Sequence, residues 1–316
     1  MSERRCCFVA YDKITLRELV GTVLVEAGEK NTDIYVLDSD LAKSTTTNKF
    51  QARFPERFFE SGIAEQNAMS VAAGMATEGK IPFYVNFAIF VSGTCWTQLR
   101  QICYANLNVK LIATHPGMDG SYDGASHHAN EDIALMRALP NLKVLSPSNP
   151  DELRQAVQIA LVHKGPVYIR CARDSVPNLP AKESVQLGKA VVMEDMGNDF
   201  ALIYEGSTAD LAMRSFAACK EKGMKGKLVN LFSIKPVDKE CIRNLAEEVK
   251  KIVTIENHSV IGGIGGLVAE TISDMPCHAP LLKVGVEDTF TESGALEAVK
   301  EKYGLTVENV LRKITE

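Results

Sequence analysis

The chain has 316 residues, 46% of them hydrophobic and 24% charged, with a formal net charge of −5. That is ordinary globular composition and excludes a disordered or fibrous chain. With 35 basic against 40 acidic residues there is no electrostatic footprint for nucleic acid or an anionic membrane, so small-molecule partners are expected.

In chain order, residues 1–12 read as an N-terminal tail. The opening MSERRCCFVAYDK lacks an apolar stretch long enough for a signal peptide. No later segment reaches the roughly 18 apolar residues of a membrane span, so the expected location is the cytoplasm. The first helix is TLRELVGTVLVEAGEK, with Leu16, Leu19, Val20, Val23 and Leu24 on one face. DIYVLDSD follows as a strand and its loop; KIPFYVNF, NVKLIATH, LKVLSP and GPVYIRCA read as further strands, separated by helices near residues 63–77, 92–105, 130–138 and 150–163. Asn149–Pro150–Asp151 supplies the start signal for the last of these. Periodicity is then lost in SVPNLPAKESVQL, which has two prolines and reads as a linker. It resumes in FALIYEG, KGKLVNLF, KIVTIEN and PLLKVGV. The pattern predicts two α/β domains with mostly parallel sheets, over residues 13–176 and 191–316, joined by a linker at 177–190. Eight cysteines, at 6, 7, 95, 103, 171, 219, 241 and 277, show neither a CxxC pair nor zinc-ligand spacing, so reduced thiols and no protein-held metal are expected. Cys6 and Cys7 beside two arginines form a weak acylation signal that nothing downstream supports.

Three stretches hold candidate chemistry. In RFFESGIAEQNAMSVAAGMATEGK the polar triplet Glu65–Gln66–Asn67 opens a helix of small and apolar residues. Such a helix is expected to be buried, leaving Glu65 partly desolvated and in need of a partner. The plain alternative is a helix-start carboxylate answering the macrodipole. Next, ATHPGMDGSYDGASHHANED places His115, Asp119, Asp123, His127 and His128 in a Gly-rich loop after a strand, where α/β proteins put ligands. Its spacing matches no standard metal site. Finally, ENHSVIGGIGGLVAE looks like a dinucleotide fingerprint, but Val268 stands where the third glycine or alanine belongs. A glycine-rich strand-to-helix turn, with His258 as a loop or interface residue, is the simpler reading.

Taken together, GIAEQN at 62–67, YVNFAIF at 84–90, the loop ending at His127, SPSNPDE at 146–152 and ENHSVIGG at 256–263 resemble the transketolase family over nearly the whole chain. The order matches its pyrimidine-binding domain followed by its C-terminal domain, as in the C-terminal subunit of split transketolases. The family's GDG motif, which holds magnesium and the cofactor diphosphate, is absent. The resemblance therefore implies a separate N-terminal subunit carrying GDG, thiamine diphosphate as cofactor with Mg2+ held mainly by that partner, and a dimer of heterodimers, with a homodimer possible for the chain alone.

By the same resemblance Glu65 matches the carboxyl that activates the aminopyrimidine, Phe87 and Phe90 the stacking residues with Tyr84 nearby, and Asp40 and Leu41 positions approaching the cofactor. Arg17, Ser44, His115 and Arg173 match sugar-phosphate contacts. Asp123 and His127 match contacts to the sugar hydroxyls or carbonyl, with His127 also catalytic. Tyr122 stands where the family often has an acidic residue, His128 where glutamine is common, and Asp119 is unusual in this loop, which leaves the sugar open. The implied activity is transfer of a two-carbon ketol unit from a ketose phosphate to an aldose. A 1-deoxy-D-xylulose-5-phosphate synthase-like or oxo-acid dehydrogenase beta-type subunit, or a non-catalytic scaffold, are the rivals.

Overall fold

The computed structural model describes residues 11–316; Cys6 and Cys7 lie outside the described residues. The first half begins with β1 (Lys13–Thr15), α1 (Arg17–Lys30), β2 (Ile34–Asp38), α2 (Asn48–Arg53), β3 (Phe58–Glu60), α3 (Glu65–Thr77) and β4 (Ile81–Phe87). It continues with α4 (Trp96–Tyr104), β5 (Lys110–Thr114), α5 (Asp132–Ala138), β6 (Lys143–Leu145), α6 (Pro150–Val162), β7 (Val167–Cys171) and β8 (Ser175–Pro177). The second half holds β9 (Val191–Asp195), β10 (Phe200–Tyr204), α7 (Ala209–Glu221), β11 (Gly226–Asn230), β12 (Ser233–Lys235) and α8 (Lys239–Glu248). Last come β13 (Ile252–Ser259), α9 (Ile264–Ile272), β14 (Leu281–Val286), α10 (Leu296–Lys302) and α11 (Val307–Thr315).

The first sheet has the order β12-β6-β7-β5-β4-β2-β3, parallel throughout except for β12. Its strands are continuous apolar runs because helices cover both faces. Along β4 the sides alternate: Phe83 and Val85 pack with Leu16, Val20 and Leu24 of the α1 side, while Tyr84 packs with Ala68, Met69 and Leu99 on the other. The second sheet, β14-β13-β10-β11-β9, is parallel apart from β9. This is the expected two-domain α/β architecture with mostly parallel sheets.

Three details differ from the sequence reading. Ser175–Pro177, read as the start of the linker, pairs antiparallel with β1. β12 leaves the second half of the chain to complete the edge of the first sheet, on β6. Both are three-residue strands, too short to show a period. The third concerns α3, which is not buried all round. Ala68, Met69 and Ala72 face the core, but Gln66, Asn67, Ser70, Gly74 and Thr77 are exposed. Small side chains mark a close-packing helix without saying whether the packing partner lies in the same chain.

A buried polar joint ties the halves together. Arg170 on β7, fully buried, reaches Asp132 through Nε at 2.9 Å, Glu205 through Nη1 at 2.8 Å and the Asn257 carbonyl through Nη2 at 2.7 Å. Burial would raise the Glu205 carboxyl, but the Arg170 charge and the donors of Ser207 and Ser146 outweigh it and hold it below the usual range. SPSNPDE is part of the same joint. Asn149 caps α6 by accepting from the Glu152 N–H at 2.9 Å, and Glu152 answers the Ser148 N–H at 2.7 Å. The other Glu152 oxygen accepts from Asn230 on β11 at 2.9 Å.

Candidate functional site

β2, β4, β5 and β7 run parallel and end at Asp38, Phe87, Thr114 and Cys171, so the segments that follow them converge at one edge of the sheet. Crevices at the carboxyl ends of parallel strands are the usual ligand sites of such sheets.

The loop after β2 is organised by Asp38. Its buried carboxylate accepts from the hydroxyls of Thr45 (2.7 Å) and Thr47 (2.8 Å) and from the Leu41 N–H (2.8 Å). The loop then settles on α1 at Gly21, where a Cβ would stand 1.9 Å from the Thr46 carbonyl oxygen. Only glycine allows that approach, and it brings Ser44 beside Arg17, whose Nη1 donates to the Ser44 carbonyl at 2.8 Å. Arg17 Nε is buried with no hydrogen-bond partner, a donor left over for something the chain does not itself supply.

His115 follows β5 in a left-handed conformation, φ 57°, a strained state of the kind that clusters at functional sites. It is buried, and its Nδ1 pairs with the Thr114 hydroxyl at 2.9 Å. Burial, then the charges of Arg173 and Arg17, push its pKa down to about 2, so the ring is neutral at any ordinary pH. Its ring centroid lies 3.8 Å from that of Phe87. Phe87 and Phe90 have ring centroids 6.1 Å apart and planes nearly parallel at 11°, and His127 meets Phe90 edge-on at 5.3 Å. Arg17, Ser44, Phe87, Phe90, His115, His127 and Arg173 are therefore brought together. Phe90 owes its place to a π-helical turn, Phe90–Thr94, that interrupts the expected helix over 92–105, an irregularity frequent at functional sites.

Glu65 is the first residue of α3, and its neighbour Gln66 fastens that helix start to the turn by donating to the Thr94 carbonyl at 3.0 Å. Half-buried, the Glu65 carboxylate faces Cys95; burial, then that negative charge, pushes the Cys95 thiol up to about 12. Among the described residues no donor or cation pairs with the Glu65 carboxylate.

The remaining candidates are peripheral. Asp40 is exposed and its N–H donates to Glu60 at 2.8 Å, while Leu41 serves the Asp38 carboxylate through its N–H. Their loop reaches β4 through Ser39 and the Tyr84 hydroxyl at 3.1 Å. Asp123 is exposed, and its charge acts on His128. Tyr122 is 71% exposed. His128 does not border the aromatic group as expected; it is buried against the second half of the chain, Nδ1 to the Thr291 hydroxyl at 2.6 Å and Nε2 to the Ser121 carbonyl at 3.1 Å. His258 is likewise an interface residue, accepting from the Ala134 N–H at 3.3 Å, but on β13 rather than in a loop.

Residues 12–178 match the transketolase pyrimidine-binding domain and residues 188–310 the transketolase C-terminal domain. The chain belongs to the transketolase family. A Methanocaldococcus jannaschii protein provisionally named a transketolase C-terminal section is 40% identical, covering 95% of each chain. The 6-deoxy-6-sulfo-D-fructose transketolase subunit SqwH of Clostridium sp. (strain MSTE9) is 35% identical over 95% of this chain and 94% of its own. Among solved structures, a split-gene transketolase described as an inactive β4 tetramer superimposes with a TM-score of 0.87 at 43% identity, over 96% of this chain and 97% of that one. Members of the family use thiamine diphosphate.

The residues present suit the pyrimidine end of that cofactor. An unpartnered carboxylate at a helix start, parallel phenyl rings and small neighbouring side chains are what a flat, protonatable heteroaromatic ring needs. Among the described residues no group of three or more His, Cys, Asp or Glu side chains is arranged to hold a metal ion.

Proposed function

We propose that this chain is one subunit of a split transketolase that moves a two-carbon ketol unit from a ketose phosphate to an aldose, acting with a second subunit that carries the GDG motif, Mg2+ and the diphosphate end of thiamine diphosphate. The observation that carries the reading is the group at one sheet edge: Phe87, Phe90, His115 and His127 in ring contact, with His115 lying in the field of Arg17 and Arg173. A phosphate is a natural ligand for a buried, unpaired guanidinium nitrogen. The relatives named above support the split arrangement, since they span almost the same length as this chain.

When bound, thiamine diphosphate supplies a carbanion at its thiazolium ring and an electron sink for the cleaved bond. The chain's own residues have narrower tasks. Glu65 shares a proton with the pyrimidine N1′. Phe87 and Phe90 hold the pyrimidine by its faces and keep water from it. Neutral His115 orients a substrate oxygen beside Arg17 and Arg173 without adding charge. His127, next to Phe90 and with Nδ1 on the Ser126 hydroxyl at 2.9 Å, presents its other nitrogen to the sugar as a donor or proton carrier. Asp40, Leu41, Ser44 and Asp123 complete the rim of the pocket. The exposed face of α3 supports association with a further subunit, giving a dimer of heterodimers.

The test is kinetic. With the GDG subunit present, Glu65→Gln is expected to lower kcat by about 10²–10⁴, the usual range for one positioned proton-transfer group. Near-normal turnover would overturn the reading. Pyruvate decarboxylation in place of ketose-phosphate cleavage would reassign the chain to the synthase-like or oxo-acid dehydrogenase-like alternative. Correct assembly with no turnover of either substrate would leave a scaffold.

A further inference from the structure

The loop after His115 is wrapped around one side chain from the other half of the chain. Asn257, buried on β13, accepts from the Met118 N–H through Oδ1 at 2.9 Å and donates through Nδ2 to the Pro116 carbonyl at 3.2 Å and to Asp119 Oδ1 at 2.9 Å. Gly117 lies between, at φ 56°, where a Cβ would stand 2.1 Å from the Asn257 carbonyl oxygen. No residue with a side chain fits.

Asp119, fully buried, passes that restraint on to Arg173. Its Oδ2 accepts from the Arg173 N–H at 2.7 Å and the Asp174 N–H at 2.9 Å, and its backbone carbonyl accepts from Arg173 Nη1 at 2.8 Å. The backbone at the root of Arg173 and one nitrogen of its guanidinium are thus held by one residue. Donor and acceptor roles are fixed chemically. Backbone N–H groups and the amide Nδ2 can only donate, and an ionised carboxylate can only accept. The arrangement requires an acceptor on both oxygens at 119 and an amide at 257.

We propose that Asp119 and Asn257 are positioning residues for the phosphate end of the substrate. They fix where the Arg173 guanidinium stands relative to His115 and Arg17, and so set the preference for phosphorylated over unphosphorylated sugars. This rests on the reading of Arg17, His115 and Arg173 as phosphate-facing. It also gives the second half of the chain a task at the substrate, although Asn257 touches no ligand.

The experiment uses the enzyme assembled with its GDG subunit and compares KM and kcat for a ketose phosphate and for the same ketose without phosphate. The variants are R173K, D119N and N257A. In D119N the new amide nitrogen must face a donor, either the Asn257 amide or the N–H groups of Arg173 and Asp174. Expected is a rise of about tenfold in KM for the phosphorylated sugar in R173K and D119N, the equivalent of one charge-assisted hydrogen bond. The unphosphorylated sugar should change less than about twofold. If D119N fails to assemble, N257A makes the same comparison with the two backbone contacts of Asp119 kept. A purely structural role would affect both sugars alike and lower the melting temperature; that result overturns the proposal. If R173K itself fails to discriminate between the sugars, the phosphate reading falls with it. If R173K discriminates and neither D119N nor N257A does, only the positioning role is refuted.

Discussion

Arg170→Met removes the one cation from a joint that holds two buried carboxylates, and its cost follows from the geometry. Arg170, Asp132 and Glu205 all have side chains with no solvent exposure. The guanidinium donates to Asp132, Ser207 and the Asn257 carbonyl and pairs with Glu205 at 2.8 Å, so methionine fills the volume but leaves both carboxylates uncompensated. Breaking a buried pair by removing one partner costs about 3–5 kcal/mol, and two stranded carboxylates place this variant at the upper end. The effect carries a pH signature. With Arg170 gone, burial raises the Glu205 carboxyl, so the folded variant takes up a proton that its unfolded chain releases, and its deficit shrinks as the pH falls toward 4. Urea denaturation at pH 7.5 and pH 5 reads both quantities. A deficit under about 1 kcal/mol, or one that is the same at both pH values, would refute the reasoning. Arg170→Lys keeps the charge without the fork and is expected to fall between the two.

Other outcomes follow from single groups. Burial, only partly offset by the N–H groups of Gly265 and Ile264, pushes the Glu256 carboxyl up to about 8. Between its ordinary value and about 8 the folded state holds a proton that the unfolded state has lost, so this group lowers stability as pH rises through that window. Glu256→Gln is therefore expected to be near neutral at pH 5 and stabilising by a few kcal/mol, order of magnitude only, at pH 8.5 in urea titrations; equal effects at both would count against it. His115 should show the NMR shifts of a neutral ring from pH 8 down to pH 5, and titration within that range would contradict its burial in the field of Arg173 and Arg17. Phe90→Ala should raise the thiamine diphosphate concentration for half-maximal activity by roughly 2–13-fold, the equivalent of one aromatic contact of about 0.5–1.5 kcal/mol. No change would remove Phe90 from the pocket.

The main strands and helices were legible because their apolar runs and periods are long. Val20, Val23 and Leu24 are buried along one face of α1, with Leu16 buried just before it and Leu19 half-buried at its margin. Three-residue strands such as β12 carry no period, and their partners are distant in sequence. The helix of Glu65 shows another limit. Composition revealed that α3 packs closely, but not that its outer face is left open within this chain. At the site, the Gly-rich loop pointed to His115 and the resemblance to the transketolase family to Phe87 and Arg173, while neither points to the hub between them. Asp119 stands in the sequence as one acidic residue of the Gly-rich loop, unusual for the family, and Asn257 in a motif that reads as a glycine-rich turn. Their pairing spans 138 residues, and no local pattern can express it. His128 invited the opposite error, since the resemblance set it at the border of the pocket, whereas the turn sends its ring to Thr291.

The central claim is that the chain holds one end of the cofactor and needs a second chain for the other. Calorimetric titration of thiamine diphosphate with Mg2+ into this chain, into the GDG-bearing subunit and into their mixture tests it most directly. The account predicts weak binding to either alone, tight binding to the mixture, and loss of turnover but retained assembly when Glu65→Gln replaces the native chain. Full affinity and activity in the isolated chain would contradict it.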